Sequence, residues 1–234
     1  MSEFPTLFRQ KFNTAVLSDA AFRVGATLVS APSTLLPLNL SMKVAGPIVT
    51  VQANNDLVSI ITAVHQAQPG DVIIITNQTQ DVAVIGDLIA TEAKRKGLGG
   101  FVIDGFVRDT VELIEIGVPV FCNGRYPIGP LKLSADAKGI GEIGKEIHLG
   151  HKAIQSGMWA FGDADGVLFL QASDLPAIFG AAEDATQREA ALTAKIEAGT
   201  PLGDLLAIDS FLKKRAADPQ ANFNEHIASL GQAI

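Results

Sequence analysis

Cysteine, histidine and the aromatic residues other than phenylalanine are scarce in this chain of 234 residues. It contains one cysteine, one tryptophan, one tyrosine and four histidines. A lone Cys122 excludes an internal disulfide, and scattered histidines without a second cysteine do not give the common zinc-binding spacings. The histidines share no motif, so we do not expect any of them to act as a catalytic base. They are His65, His148, His151 and His226.

Clusters of basic residues and long apolar runs are also missing. The formal net charge is −7, and the 18 Lys and Arg residues do not form the basic patch that binds a phosphate backbone. No run approaches the ~20 apolar residues needed to cross a bilayer, and the charged segment 1–13 lacks the apolar stretch of a signal peptide. These absences predict a soluble cytoplasmic protein that binds neither nucleic acid nor a membrane.

Apolar residues are abundant, and they alternate between strand and helix patterns. Hydrophobic types make up 47% of the sequence, which is enough for one substantial core. We therefore expect a single domain over residues 1–234, with a core at about 14–172 and a helical tail at about 173–234. A β-α-β-α-β rhythm between residues 42 and 122 predicts the α/β class.

The expected elements follow from periodicity and from Gly, Pro and capping residues. The first is a helical region Phe4–Val24, with a second helix start capped at Thr14 or Ser18, and it is followed by a loop or short strands over Gly25–Leu40. Next comes a strand Met42–Val51, in which Pro47 suggests an edge strand or a bulge. The remaining elements of the first half are a helix Asp56–Gln66, a strand Val72–Thr76, a helical run Leu88–Lys96, a strand Phe101–Ile103, a helix Val111–Ile116 and a strand Pro119–Cys122.

The second half has a different character. Repeated glycines from Gly124 to Gly150 indicate turns between brief antiparallel strands, and Met158–Leu170 is typical of a hairpin. Asp163 and Asp165 could be taken for a metal pair, but an Asp-Gly hairpin turn explains them better. The tail predicts helices over Pro176–Ala182, Asp184–Ala198 and about Leu205–Ala217.

One stretch combines residues that could carry chemistry. Asp87 is followed by twenty residues and then by the adjacent pair Arg108 and Asp109. The intervening residues form a helical run, a glycine stop and a short strand, so both ends can return to the same edge of a sheet. Gly86 allows close approach to the amides of Asp87, Leu88 and Ile89 at a helix start, where an anion is favoured.

The two ends of this stretch carry complementary groups. Arg108, leaving a predicted Asp104-Gly105 turn, offers a planar fork of donors to a carboxylate or an enolate, and Asp109 offers hard oxygen ligands to a divalent cation such as magnesium. The alternative is an ordinary glycine-rich turn, in which Asp104 bonds its own backbone and the pair 108–109 is solvated. Arg125 and Tyr126, in the loop after the Pro119–Cys122 strand, are second candidates because such loops border ligand crevices.

The run G-D-L-I-A-x-x-A-x-x-x-G-x-x-G-F-V-x-D-G-x-x-R-D over residues 86–109 closely resembles the signature of the RraA-like family. That family includes magnesium-dependent 4-hydroxy-4-methyl-2-oxoglutarate/4-carboxy-4-hydroxy-2-oxoadipate aldolases. The T-A-x-x-S-D-A stretch at residues 14–20 and the G-D-x-D-G-V element at residues 162–167 resemble it too. The resemblance covers about residues 14–199 and implies a swivelling β/β/α fold with N-terminal and C-terminal helices, in trimers that can stack into hexamers.

The resemblance also implies a function and roles. The chain would be a class II pyruvate lyase that cleaves small 4-hydroxy-2-oxo acids through an enolate and also decarboxylates oxaloacetate. Asp109 would hold Mg²⁺ or Mn²⁺, Arg108 would stabilise the enolate, and Asp87 would orient a water of the metal as acid or base. The amides of Leu88 and Ile89 would hold the substrate carboxylate.

Two further implications come from the same resemblance. Longer aldolase-type members use an acid of the tail that reaches toward a neighbouring subunit, and Glu189 is the match by register. The alternative function is that of other RraA-like members, which regulate a ribonuclease or another protein by binding it and do no chemistry.

Overall fold

The computed structural model describes residues 3–77, 82–129 and 141–230, and its helices and strands confirm the predicted α/β class. The helices are α1 (Phe4–Lys11), α2 (Thr14–Arg23), α3 (Leu57–Gln66), α4 (Asp87–Lys96), α5 (Thr110–Ile116), α6 (Leu175–Glu197), α7 (Leu202–Leu205), α8 (Ile208–Ala217) and α9 (Phe223–Ser229). The strands are β1 (Leu28–Ser30), β2 (Leu36–Pro37), β3 (Val44–Gln52), β4 (Val72–Thr76), β5 (Ala83–Ile85), β6 (Gly100–Val107), β7 (Val120–Arg125), β8 (Glu142–Ile143), β9 (Ile147–Leu149), β10 (Lys152–Ile154), β11 (Trp159–Asp163) and β12 (Gly166–Leu170).

Most of the described strands join one mixed sheet. Its order is β1-β12-β11-β3-β4-β6-β7-β2, with β5 beside β6 and β8 beside β3. The pairs formed among β3, β4, β5, β6 and β7 are parallel, while β11 and β12 pair antiparallel as the predicted hairpin. The β-branched run of β4 is buried between two parallel neighbours, as predicted for a strand covered on both faces. Parallel strands end at one edge of a sheet, which sets the place of the candidate site.

Two groups of buried side chains stabilise this arrangement. The larger one fills the space between the parallel part of the sheet and α3, α4 and α5. The second joins α1, α2 and α6 to β11 and β12, and its centre is aromatic: the Phe8 and Phe161 rings lie 5.3 Å apart, and those of Phe161 and Phe179 lie 5.4 Å apart. Ring pairs at these separations add to the burial of their surface.

Pro47 does not lie on an edge strand, so that prediction is wrong. It is in β3, which has β11 on one side and β4 on the other. The amide of Ile48 donates to Met158 O at 2.9 Å, so the nitrogen of Pro47 points away from β11, and the β4 register begins only at Ile48. The missing N–H therefore costs no ladder hydrogen bond, and an interior proline is tolerated.

The N-terminal helical region consists of two helices, and the predicted caps at Thr14 and Ser18 are wrong. Asn13 is the cap of α2, because its side chain accepts from the amide of Val16 at 2.8 Å. Thr14 instead binds the hairpin: its amide donates to Asp163 Oδ2 at 2.7 Å and its hydroxyl to Asp163 Oδ1 at 2.8 Å. The helical region is interrupted between α1 and α2 because the backbone at Phe12 and Asn13 is extended.

Asp163 has a structural role in both the turn and the helix start. Its Oδ1 also accepts from the amide of Asp165 at 3.0 Å, which confirms the hairpin-turn interpretation of this acidic pair. The carboxylate is buried, so these donors compensate for its lost hydration. Asp163 thereby fixes α2 to the β11–β12 hairpin.

The tail differs from its predicted outline. One helix, α6, replaces the two helices expected on either side of residue 183, because Gly180 and Glu183 are accommodated within it. It stops before the predicted Gly199-Thr200-Pro201 signal, and α9 was not predicted. In the glycine-rich part, β8, β9 and β10 confirm brief strands, while residues 130–140 lie outside the described residues. None of the described helices is both long and apolar enough to span a bilayer.

Replacing Asp163 by Ala should destabilise the protein strongly. The substitution leaves the buried amide and hydroxyl of Thr14 without their acceptor, and we expect the free energy of unfolding to fall by roughly 2–4 kcal/mol. The matched control is Asp165→Ala in the same turn, where the side chain is exposed and the change should stay within about 0.5 kcal/mol. Urea unfolding of both variants measures the difference, and equal losses would contradict a special role for Asp163.

Candidate active site

The candidate residues lie where two parallel strands end side by side. Strand β5 pairs with β6 so that Ile85 is opposite Val107, and the amide of Arg108 donates to Ile85 O at 3.0 Å. Gly86 and Asp87 follow β5, while Arg108 and Asp109 follow β6. The predicted meeting of a helix start with a strand end is therefore present. Strand β5, which creates it, was not predicted, since only three residues form it.

The predicted turn at Asp104-Gly105 is wrong, because β6 continues through both residues to Val107. The pairing of β6 with β7 shifts in register between Ile103 and Phe106, so the strand contains an irregularity where a turn was expected. Asp104 does not bond its own backbone there; its Oδ1 accepts from Asn123 Nδ2 at 2.6 Å. The extra length of β6 carries Arg108 past the end of β4.

Asp109 connects the two chain segments. Its backbone is left-handed, with φ 56° and ψ 45°, a conformation that aspartate tolerates better than most residues. Although Asp109 is the N-cap residue of α5, its side chain does not cap that helix. Its Oδ2 instead lies 3.3 Å from the amide of Asp87 and 3.4 Å from Arg108 Nε. The carboxylate is one-third exposed, at 33%, so it is accessible to a ligand.

The first residue of α4, Asp87, accepts a hydrogen bond from an amide at the start of its own helix. The amide of Leu88 donates to Asp87 Oδ1 at 2.7 Å, and the amide of Asp87 donates to Asp109 as described above. For the amide of Ile89, no acceptor is recorded within the described parts of the chain. Carboxylates of the protein thus already occupy two of the three amides that the sequence assigned to an anion. The preference of a helix start for negative charge explains why.

Glycines make room for this arrangement. A Cβ on Gly86 would lie 2.4 Å from Asp109 Oδ2 and 3.3 Å from Arg108 Nε. A Cβ on Gly129 would lie 2.5 Å from Arg108 Nη1. Gly86 was predicted from the sequence to be part of the site, and Gly129 was not. The only sequence signal of Gly129 is its position in a glycine-rich segment. Both positions keep the backbone close to the charged groups.

A cavity of 190 Å³ opens beside these groups. Its polar lining comes from Asp87 and Arg108, and its remaining lining is backbone and apolar side chains of β5, α3 and α4. Leu57 and Ile61 on α3 are lining residues that sequence analysis did not predict as part of the site. Ile61 is 54% exposed, so it lies on a face of α3 that does not pack into the core. An apolar residue at such a position of a helix is the signal that could have indicated its place in the site.

The second candidates fall into two classes. Arg125 is the last residue of β7, where it pairs with Val107, so its predicted place in a loop is wrong. Tyr126 follows β7 and stacks on Phe106 with ring centroids 5.9 Å apart, so both residues are close to Arg108 in the fold. Glu189 is exposed on α6, which packs on α1 and α2. No hydrogen bond or ion pair recorded within residues 3–77, 82–129 and 141–230 joins Glu189 to the site.

The histidines remain outside this cluster. His226 is buried and its Nε2 lies 3.0 Å from Leu206 O, while His148 and His151 lie in and beside the β9–β10 hairpin. His65 comes nearest to the site, because it lines the cavity that adjoins the one beside Arg108.

Gly86→Ala tests whether Asp109 occupies the position described. The added methyl group would overlap Asp109 Oδ2, so we expect the free energy of unfolding to fall by roughly 1–3 kcal/mol. In an Asp109→Ala background the overlap is gone, so the same substitution should cost at least ~1 kcal/mol less. Gly180→Ala in α6, where nothing lies within 4 Å of the added Cβ, is the control and should be neutral or stabilising. An equal cost of Gly86→Ala in both backgrounds would contradict the contact.

Comparison with known proteins places this geometry in a family. The RraA-like family, described as Aldolase/RraA, matches residues 14–169. A protein of Halalkalibacterium halodurans named "Putative 4-hydroxy-4-methyl-2-oxoglutarate aldolase" is 37% identical over 171 residues, which cover 72% of this chain and 76% of that protein. An Arabidopsis thaliana protein with the same name, numbered 3, is 31% identical over 125 residues, covering 53% of this chain and 72% of that protein.

Solved structures agree on the fold. An uncharacterized protein from Pseudomonas syringae pv. tomato superposes with a TM-score of 0.72 at 22% identity, covering 87% of this chain and 97% of that one. Streptomyces coelicolor RraAS2, described as an unusual member of the RNase ES inhibitor RraA protein family, superposes with a TM-score of 0.67 at 24% identity, covering 81% and 94%. The fold is the one expected from the resemblance, and the chain belongs to the RraA-like family.

Proposed function

We propose that this chain is a divalent-metal-dependent carbon–carbon lyase that cleaves small 4-hydroxy-2-oxo acids and releases pyruvate. The observation that carries the proposal is that Arg108 and the start of α4 line one cavity, while Asp109, which does not line it, contacts both the Arg108 side chain and the Asp87 amide. A guanidinium, a half-buried carboxylate and helix amides together suit a small anion whose charge grows during the reaction. Relatives named as aldolases support the same reaction class.

The donor set beside Arg108 fits a divalent cation such as Mg²⁺ or Mn²⁺. Asp109 Oδ2 is held by the Asp87 amide and Arg108, while Oδ1 has no recorded partner in the described part of the chain. Carboxylate oxygen is the ligand type that Mg²⁺ prefers, and this ion keeps several waters. Asp109 is the protein ligand that we propose, and within the described residues it does not belong to a cluster of three or more potential metal-ligating side chains. When bound, the cation supplies Lewis-acid chemistry at the substrate's keto group.

Arg108 would stabilise the charge that develops on the substrate. Cleavage of the C3–C4 bond leaves its electron pair on the pyruvate half as an enolate, while the 4-hydroxyl loses its proton and becomes the carbonyl of the second product. The Nε of Arg108 is oriented by Asp109, and the backbone of Gly129 packs against its guanidinium group. A donor held in place before the reaction stabilises a developing oxyanion more than a mobile one does.

Asp87 would act in binding and in proton transfer. A substrate carboxylate can replace Asp87 Oδ1 at the Leu88 amide and also bind the Ile89 amide at the start of α4. Asp87 would then be released from its own helix and free to orient the water that accepts the 4-hydroxyl proton and returns a proton to C3 of the enolate. The same enolate chemistry would support decarboxylation of oxaloacetate.

Assembly belongs to the proposal as well. Glu189 is exposed, and no hydrogen bond or ion pair recorded in the described part of the chain joins it to the site of its own chain. If it serves as an acid, it would do so in a trimer or hexamer in which the tail of one subunit approaches the site of another. Cross-complementation between Glu189→Ala and Arg108→Ala subunits would detect such sharing.

Pyruvate release tests the lyase function directly. The assay uses 4-hydroxy-4-methyl-2-oxoglutarate and oxaloacetate, with Mg²⁺ or with a chelator. We expect metal-dependent pyruvate from the wild type and a loss of roughly 10²–10³-fold in kcat for Arg108→Ala, because one preorganised donor to the enolate is removed. Arg23→Ala, which removes an exposed arginine from the end of α2, is the control and should retain activity.

Absence of activity has a specific meaning here. Wild-type protein that releases no pyruvate from any 2-oxo acid, with or without Mg²⁺ or Mn²⁺, would contradict the lyase function. The alternative, a regulator that binds a ribonuclease or another protein, would then be the one to pursue.

A further inference from the structure

The cavity beside Arg108 has one charged end and one apolar wall. Among the described residues that line it, Arg108 is the only cation and Asp87 the only anion. The apolar lining includes Leu57 and Ile61 from α3 together with Leu88 from α4, which we call the apolar wall. The substrate's 1-carboxylate therefore has a cation and helix amides to bind, whereas the far end of the substrate meets hydrocarbon.

The apolar wall continues into a second cavity of 340 Å³ between α3 and α4. Ile61, Leu88 and Ile89 line both cavities, so the two form one groove. Leu88 is 80% exposed, although leucine is usually buried, which leaves a contiguous apolar surface next to the charged groups. A substrate bound at Arg108 would extend along this surface.

The acidic side chain at the far end of the groove, Glu92, is already paired with Arg95 and offers no donor to a second carboxylate. Glu92 lines the second cavity, and its hydrogen bonds from Arg95, at 2.7 Å from Nε and 2.6 Å from Nη2, lower the pKa of Glu92. This carboxylate therefore stays negative near neutral pH. Arg95 is engaged by Glu92, Lys96 donates to the carbonyl oxygen of His65, and neither cation lines either cavity.

A distal carboxylate would thus lose hydration, and the only polar side chains among the described residues that line the second cavity are His65 and the acidic Glu92, neither of which is a lysine or an arginine. Burial of an unpaired charge is far less favourable than burial of an alkyl group of the same size. An alkyl group would instead cover Ile61 and Leu88 and remove apolar surface from water. Discrimination of about tenfold or more is ordinary for a hydrophobic pocket.

We infer that the chain acts on monocarboxylic 4-hydroxy-2-oxo acids whose C4 substituents are alkyl or aryl groups, in preference to 2-oxo dicarboxylates. The inference rests on the proposed lyase function and specifies its substrate class. The reaction is unchanged: the C3–C4 bond breaks, its electron pair forms the pyruvate enolate, the 4-hydroxyl proton leaves, and C3 is protonated. The second product is an uncharged aldehyde or ketone.

A matched pair of substrates tests the preference. In 4-hydroxy-4-methyl-2-oxoglutarate the distal group is a carboxylate, and in 4-hydroxy-4-methyl-2-oxopentanoate a methyl group replaces it. The first yields two pyruvates and the second yields pyruvate and acetone. The quantity measured is the ratio of kcat/KM for the second substrate to kcat/KM for the first, and we expect it to exceed about ten for the wild type.

Because the two substrates differ in intrinsic reactivity, a variant supplies the decisive comparison. Ile61→Arg places a cation on the apolar wall and should lower the ratio at least about tenfold. Ile61 is half-exposed, so arginine can be accommodated, and Leu88→Arg is the second variant if the first does not fold. Val58→Arg is the matched control, since Val58 is 42% exposed on the same helix but lines neither cavity, and its ratio should stay within about twofold. Gel filtration of each variant verifies that assembly is unchanged.

The outcomes separate the two proposals. Pyruvate release with a wild-type ratio below one, or a ratio that Ile61→Arg and Leu88→Arg leave unchanged, overturns the inference and leaves the lyase function standing. No pyruvate from either substrate overturns the lyase function and the inference together. A wild-type ratio above ten that falls in the arginine variants supports both.

Discussion

The pairing of β5 with β6 in parallel fixes the position of the charged groups at the candidate site. Ile85 opposite Val107 is the last pair of that ladder, and the Arg108 amide continues it by donating to Ile85 O. The two chain segments therefore leave the sheet together, one into α4 and the other into Asp109. A slip of one residue would turn each side chain of β5 to the opposite face and separate Gly86 from Asp109. The positions of the charged groups thus depend on backbone hydrogen bonds. The ion pair between Arg108 and Asp109 forms between groups that these bonds have already brought together.

How far the sequence predicts this fold depends on the length of each element. Long periodic or β-branched runs were identified correctly, as in β4 and α3, because their signals extend over 5 and 10 residues. Strand β5 has three residues and gives no comparable signal, although the site depends on it. Asp104-Gly105 has the composition of a turn, yet the pairing of Asp104 with Thr76 of β4 and the hydrogen bond from the Asn123 side chain of β7 hold it in β6. Tertiary pairing overrides local preference at such positions.

The candidate site was predictable to the extent that it is continuous in sequence. Gly86 to Asp109 form one helix–strand unit whose two ends can return to the same edge of the sheet, so spacing alone indicated their approach. The contributions of Gly129 and Ile61 come from distant parts of the chain and have no such spacing. Neither the left-handed backbone of Asp109 nor the bond between Asp87 and the Leu88 amide has a sequence signal, since aspartate caps many helices without either.

The charged groups and the apolar wall of this site are held by different elements of the fold. Arg108, Asp109 and the start of α4 lie at strand ends, where the sheet holds them and where a change of backbone position would disturb the charge arrangement. The apolar wall is carried by α3, whose N-cap Asp56 accepts hydrogen bonds from the amides of Val58 and Ser59, which fixes the helix start independently of β5 and β6. Residues on the exposed side of α3 can change without moving the charged groups. A fold built in this way can retain one charged end while its distal groove varies in charge, and Leu57, Ile61 and Leu88 make that groove apolar here.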